Sequence, residues 1–352
     1  MVPASIPLKE RPVPGRLPRS RFVRPLLLIL ALLVYACGSE EAARDGSLQE
    51  EEVSRRSVPV PRFERDSAYQ YVAAQLDIGP RVPGTEAHRQ AAEWLEETLR
   101  DLGAEVIVQP FEARAHWGET LQGYNIVGQY NPQARKRVLL AAHWDTRFAA
   151  DSPLATGTSD QPVPGADDGA SGVGVLLEVA RQLQQHPVDI GVDIVFFDLE
   201  DQGESGTDNE ESWALGAQHW ARNPHRSGYQ AEYGILLDMV GARNARFPKE
   251  YWSMYFARQL VDKVWTLAQN MGYGNYFVSA DGGGVTDDHY FVNTIAGIPM
   301  IDIINRPQGS QTGFGSHWHT VGDDIDVIDK RTLGAVGQVV LAVVYRENNR
   351  TF

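Results

Sequence analysis

Arg137-Val138-Leu139-Leu140-Ala141-Ala142-His143, followed by Trp144-Asp145, is the stretch that decides the fold. A short apolar run feeds directly into an imidazole and a carboxylate. Runs of this kind fit strands buried on both faces, as in a sheet covered by helices. Three more follow. Gly191-Val192-Asp193-Ile194-Val195-Phe196-Phe197-Asp198 leads into Leu199-Glu200-Asp201, Tyr233-Gly234-Ile235-Leu236-Leu237 ends on Asp238, and a turn at Ala296-Gly297-Ile298-Pro299 opens Met300-Ile301-Asp302-Ile303-Ile304. Ligands of open α/β sheets collect at the carboxyl ends of strands, where His143, Asp145, Glu200, Asp201 and Asp238 fall.

Helical patterns lie between the runs. Asp66 to Leu76 reads as a helix capped by Asp66 or Ser67. Thr85 or Glu86 opens another to Leu102, with Ala91, Leu95, Leu99 and Leu102 on one face and Gly103 stopping it. Ala166 to Leu183 follows, with Asp167 and Asp168 at its N-terminus, where the helix dipole favours negative charge. Trp213 to Arg222, Tyr251 to Met271 and Thr332 to Tyr345 complete the set. Glu105 to Phe111 and Gly123 to Tyr130 read as further strands. The expected fold is α/β: one three-layer domain, its central twisted mixed sheet flanked by helices. Residues 147–164, 202–212, 282–289 and 305–323 read as loops, the second lying over the site and the last delivering Trp318 and His319. No GxGxxG or GxxxxGK[ST] phosphate loop stands in the required strand-then-helix context.

The 352 residues and 43% hydrophobic content suffice for a large core. The net charge of −14 argues against a nucleic-acid partner, which needs a basic patch. The single cysteine, Cys37, excludes an internal disulfide and a cysteine-rich metal site. Residues 1–37 read as a signal segment: Arg16, Arg19, Arg21 and Arg24, then an apolar run from Pro25 to Ala36, shorter than the ~20 residues of a membrane span. Leu33-Val34-Tyr35-Ala36-Cys37-Gly38 resembles a bacterial lipoprotein cleavage site, which implies cleavage before Cys37 and lipid on its thiol and amine. Residues 38–62 read as a flexible tether and 63–352 as the globular domain. The expected location is the periplasmic face of the outer membrane or the cell surface, and a monomer is expected.

Neutral imidazole plus carboxylate is the usual ligand set for zinc where thiolates are absent; an all-oxygen shell would instead suit calcium, and His319 favours zinc. The ordered motifs His143-Trp144-Asp145, Gly165-Ala166-Asp167-Asp168-Gly169, Phe197-Asp198-Leu199-Glu200-Asp201, Leu237-Asp238-Met239 and Trp318-His319-Thr320 resemble the M28 family of zinc aminopeptidases. Within it the chain looks most like the glutaminyl cyclases (glutaminyl-peptide cyclotransferases), above all the bacterial lipoprotein type, because of Trp318 before His319, Asp287-Asp288-His289, and the Leu237 to Ala242 stretch.

The resemblance implies zinc held by Asp168, Asp201 and His319, with Asp201 standing where the family more often has Glu. It implies Glu200 as general acid/base, Asp238 and Asp287 as acids beside it, and Trp318, Phe314 and His289 around the substrate. His143 and Asp145 match ligands of a second metal in the peptidases, or residues behind the first. The implied reaction converts N-terminal Gln of peptides or proteins to pyroglutamate with release of ammonia, on one zinc. A two-zinc aminopeptidase uses the same residues and is the alternative; a non-catalytic surface binding module is a third. Trp213 lies offset from the family's further pocket tryptophan and is not carried over. Asp198 and Asp302 read as turn or cap residues, His317 as solvated, and Trp144 as either lining the site or packing beneath it. His88, His116, His186, His219 and His225 read as surface or core histidines.

Overall fold

A computed structural model describes residues 58–157 and 160–352. The expected signal segment, Cys37 and most of the expected tether lie outside the described residues. The end of that tether is not free. Val58 N donates to Asn349 Oδ1, Asn349 Nδ2 donates back to Val58 O, and Gln338 Nε2 donates to Pro61 O. The chain is therefore bound to the domain ahead of the boundary expected at Phe63.

The main sheet contains six strands: β1 (Glu105–Arg114), β2 (Thr120–Tyr130), β3 (Arg137–His143), β4 (Gly191–Phe197), β5 (Gly234–Asp238) and β8 (Met300–Ile304). Their order is β1-β2-β4-β3-β5-β8. The hairpin β1–β2 and the β2–β4 pair are antiparallel; β4–β3, β3–β5 and β5–β8 are parallel. Four parallel strands thus deliver their carboxyl ends to one edge. Among the described residues seven helices surround them: α1 (Arg65–Ile78), α2 (Glu86–Asp101), α3 (Ala170–Gln185), α4 (Leu215–Arg222), α5 (Tyr251–Asn270), α6 (Asp288–Phe291) and α7 (Lys330–Asn348). Side chains along β3 alternate between two cores. Val138, Leu140 and Ala142 pack among residues of α1, α2, α3, α5 and α7, and Leu139 and Ala141 pack with Ala217, Trp220 and Phe291 from α4 and α6. Both faces are dry, which is why this strand reads as an unbroken apolar run.

Some boundaries differ from expectation for local reasons. The N-cap of α1 is Glu64, not Asp66 or Ser67, and its side chain makes no capping bond; Glu64 N donates to Glu178 Oε1 instead. Thr85 does cap α2, accepting from His88 N. Helix α3 starts at Ala170, so Asp167 and Asp168 lie in the turn before it and not in its first turn. Gly172 lies where α3 crosses β5: a Cβ there would sit 2.3 Å from Leu237 O. Two short elements escaped the sequence reading. β6 (Phe247–Lys249) and β7 (Phe277–Asp281) form a separate two-stranded parallel sheet, and the expected loop at 282–289 turns into α6 at Asp288. β6 has only three residues, one of them Pro248, and is too short to show a period.

Asp193 interrupts an apolar strand for a reason. It accepts from Arg137 Nε (2.6 Å) and Nη2 (3.0 Å), from Tyr229 Oη (2.7 Å) and from Gln129 Nε2 (3.0 Å). The Arg137 and Asp193 side chains are 1% and 0% exposed, so removing either partner strands a buried charge. Asp193→Ala is expected to cost about 3–5 kcal/mol, read as a lower urea midpoint with an unchanged slope.

Candidate active site

The carboxyl edge of the sheet turns its acids inward through constrained backbone. Leu199, Met239 and His319 are non-glycine residues with φ of 57°, 47° and 53°. Such left-handed residues cost of order 1–3 kcal/mol each and persist only where the surroundings hold them. The surroundings here are further acids. Asp145, at the end of β3, accepts from Glu200 N (3.0 Å), Asp201 N (3.1 Å) and Gln202 Nε2 (3.0 Å). Asp323 accepts from Asp167 N and Asp168 N. Asp167 accepts from Gly241 N and Ala242 N through Oδ1 and contacts His317 Nε2 (2.9 Å) through Oδ2. The loops after β4 and β5 and the turn before α3 are thereby tied together.

Two of these segments, the turn before α3 and the loop after β4, converge with the loop that follows β8. Asp168, Asp201 and His319 each offer a ligand atom, all within 4.8 Å of one another. His319 Nε2 is 2.9 Å from Asp201 Oδ1 and 3.9 Å from Asp168 Oδ2. Ligand atoms of a tetrahedral zinc lie roughly 3.4 Å apart, for bonds of ~2.0–2.2 Å, so the donor set fits zinc. Asp201 Oδ2 is buried without a partner, and the shorter arm of Asp reaches as far as the site requires. On the far side of the ring, His319 Nδ1 donates to Asp151 Oδ1 (3.0 Å). This fixes the tautomer that leaves Nε2 free to ligate, the usual carboxylate–histidine–metal arrangement. Burial disfavours a charged imidazole here. Asp201, Asp151 and Asp168 outweigh it and raise the pKa to about 9. The same negative field attracts a dication.

A cavity of about 350 Å³ opens onto this edge, near the lower limit for small-molecule pockets. Glu200, Asp238 and Asp287 line its floor, and Trp213, Phe314 and Trp318 its walls. Phe314 stacks on Trp318 at 4.7 Å, and Trp318 on His319 at 3.8 Å. Burial raises the Glu200 pKa well above the usual carboxylate range; His143 opposes this, and Asp287 and Asp201 add to it. Burial likewise raises Asp238 and Asp287.

His143, Asp168 and Asp238 form a second group that could hold a metal; His143 Nε2 is 3.0 Å from Asp168 Oδ1 and 3.3 Å from Asp238 Oδ1. Asp145 is not part of it, because its oxygens hold the Glu200–Gln202 backbone and side chain, and it serves as a support behind the first group. His289 does not line the cavity. It is fully buried, its Nε2 lies 3.1 Å from Glu250 Oε2, and it sits beside Asp287 and Asp302. Asp302 is no turn residue; it is buried within β8 with both oxygens unpartnered. His317 is bound to Asp167 and not solvated; burial opposes its protonation, but Asp167 raises its pKa to about 9. Trp144 packs beneath the site, stacked on His88 at 4.5 Å, and His88 in turn contacts buried Asp198. Trp213, left aside in the sequence reading, does line the pocket; the fold carries it back to Gly203 and His319 from the far end of the loop that follows Asp201. Asp151 was also missed, since nothing in its Pro- and Ser-rich loop marks it.

The sequence model of peptidase family M28 matches residues 125–344. The chain belongs to that family. Two solved structures match this M28 chain at equal strength: a Zn-dependent exopeptidase from Parabacteroides distasonis (50% identity, 82% of this chain and 99% of that one, TM-score 0.79) and the Porphyromonas gingivalis glutaminyl cyclase (50%, 81% and 99%, 0.79). The glutaminyl-peptide cyclotransferase of Drosophila melanogaster is 27% identical over 283 residues, 74% of this chain and 75% of that protein. The mixed sheet flanked by helices is the fold this chain shares with these relatives, and its donor set fits the metal for which the exopeptidase is named.

Asp151→Asn keeps the shape of the bond to His319 and removes its charge. It is expected to weaken zinc binding about 10–100-fold in a chelator competition assay.

Proposed function

We propose that this M28 enzyme is a glutaminyl-peptide cyclotransferase that carries one zinc and acts on peptide or protein N-termini beginning with Gln. The observation that carries the one-zinc reading is the unequal support of the two histidines. His319 Nδ1 is held by Asp151. His143 Nδ1 lies 3.6 Å from Asp145 Oδ1, farther than the 3.0 Å contact behind His319, and that carboxylate also accepts from backbone amides. A ligand histidine ordinarily has its second nitrogen fixed. The aminopeptidase reading rests on the His143, Asp168 and Asp238 group, which remains close enough to hold a second ion.

Asp168, Asp201 and His319 would hold the zinc, which would supply a Lewis acid to polarise the γ-amide carbonyl. The protein does the rest. The narrow cavity holds the Gln side chain folded back toward its own α-amine, which makes the attack intramolecular. The bond from the α-nitrogen to Cδ forms, the bond from Cδ to the amide nitrogen breaks, and ammonia leaves. Glu200 takes the proton from the α-amine and returns it to the departing nitrogen, a double task suited to a carboxyl with a raised pKa. Burial raises Asp238 and Asp287 in the same way, and the charge of Asp287 adds to the rise at Glu200. Phe314, Trp318 and Trp213 exclude water, so the amine competes successfully with hydrolysis. One chain supplies all of these groups, so a monomer suffices.

Lipid on Cys37 is proposed as the anchor, at the periplasmic face of the outer membrane or the cell surface, because Leu33 to Gly38 resembles a lipoprotein cleavage site. Among the described residues no helix is long and apolar enough to cross a membrane.

Incubated with a Gln-peptide, the protein is expected to yield the pyroglutamyl peptide and ammonia by mass spectrometry, with one zinc per chain by metal analysis; free N-terminal amino acids and two zincs would instead identify an aminopeptidase. Glu200→Gln is expected to lower kcat by about 10²–10⁴-fold while zinc content holds. Full-length protein expressed in a bacterial host should incorporate labelled palmitate, and Cys37→Ala should not.

A further inference from the structure

We infer that Arg147 is a positioning residue that staples both ends of the pocket loop and so fixes the ligand Asp201 and the wall Trp213 together. The inference rests on the reading of this cavity as the substrate site. Arg147 is 2% exposed although it sits in a polar loop. Its Nη1 donates to Asp201 O (2.9 Å) and Gly203 O (2.7 Å), the carbonyls that begin the loop. Its Nη2 donates to Ser205 Oγ (2.8 Å) and Asp151 Oδ2 (2.5 Å), and its Nε to Asp151 Oδ2 (3.2 Å). Ser205 Oγ also donates to Asp151 Oδ2 (2.8 Å). The guanidinium carbon lies 5.1 Å from the ring centre of Trp213, where the loop ends. The two ends touch: a Cβ on Gly203 would stand 1.9 Å from the Trp213 indole. Trp213 in turn lies 6.2 Å from His319, ring to ring and nearly parallel.

One planar cation therefore meets the backbone of a metal ligand, the carboxylate that orients another, and the aromatic wall. Between the two ends run Glu204 to Ser212, several of which line the cavity. Their other ties are local, such as Ser212 Oγ to Glu204 N and Asn209 Nδ2 to Glu204 Oε2. The loop's shape is thus set at its base. A lysine offers a point charge without the fork and cannot span Asp201 O, Gly203 O and Asp151 at once.

The test uses the full chain with Arg147→Lys and Arg147→Met, and three readouts. Zinc affinity by chelator competition should fall about 10–100-fold in Arg147→Met and less in Arg147→Lys. Glutamyl endopeptidase should cut at Glu204, Glu210 or Glu211 in both variants while the wild type stays intact there, with the melting temperature of zinc-loaded Arg147→Lys close to wild type. KM for a Gln-peptide should rise more than kcat falls. Wild-type zinc affinity with an uncut loop in both variants would overturn the inference. So would cleavage throughout the domain with a large fall in melting temperature in Arg147→Lys, which would mark a general structural role. If the wild type does not cyclise Gln-peptides, the zinc and proteolysis arms still decide the role of Arg147, and only the reading of the reaction fails.

Discussion

The central constraint on this structure is the confinement of negative charge. Asp168, Glu200, Asp201, Asp238 and Asp287 are all buried at one edge of a sheet whose two faces are dry. Like charges in such a setting cannot all remain ionised and unpaired. The molecule offsets them in three ways. A dication site forms where Asp168 and Asp201 meet His319. Protons are retained on acids such as Glu200 and Asp238, whose pKa values burial raises. Fixed cations lie close behind. Fully buried Arg81 donates to the carbonyls of Trp144, Pro164 and Gly165; burial pulls its pKa down to about 10, against the attraction of Asp323, Asp145, Asp168 and Asp201.

Other acids next to the site have a different job, holding the chain in shape. Asp145, Asp167, Asp198 and Asp323 accept from backbone amides at loop starts. Those bonds flank Leu199 and Met239, which stand in left-handed backbone that side chains otherwise avoid. Catalytic placement and backbone strain are thus two sides of one network. That explains why so many acids cluster in a chain with no nucleic-acid-like or calcium-loop motif: part of them bind or move protons, and part of them replace the hydrogen bonds that regular strands would have made.

Burial on both faces decided what could be read in advance. β3, β4, β5 and β8 announce themselves because a strand dry on both faces is a continuous apolar run, and such a run ending on an acid or a histidine is conspicuous. The closing loop is conspicuous too, since Trp318-His319 stands in a stretch of glycine and serine. Residues whose role depends on geometry across loops were not legible. Asp151 and Arg147 lie in a segment of ordinary loop composition, and only the fold carries Asp151 to the back of His319. Trp213 was set aside because sequence spacing does not show that the loop after Asp201 folds back to bring it against Gly203 and His319. His317 looked solvated because its partner, Asp167, is 150 residues away.

The sequence alone determined the layer architecture, the edge of the sheet at which chemistry occurs, and the identity of the groups gathered there. These follow from local rules: hydrophobic period, strand length, and the chemical type of the residue that ends each run. The tertiary structure alone decided which acid binds, which supports and which stores a proton. An Asp in or just after an apolar run looks the same in every case. Its role is set by whether its oxygens meet backbone amides, as in Asp145, an imidazole and a second carboxylate, as in Asp201, or nothing at all, as in Asp302.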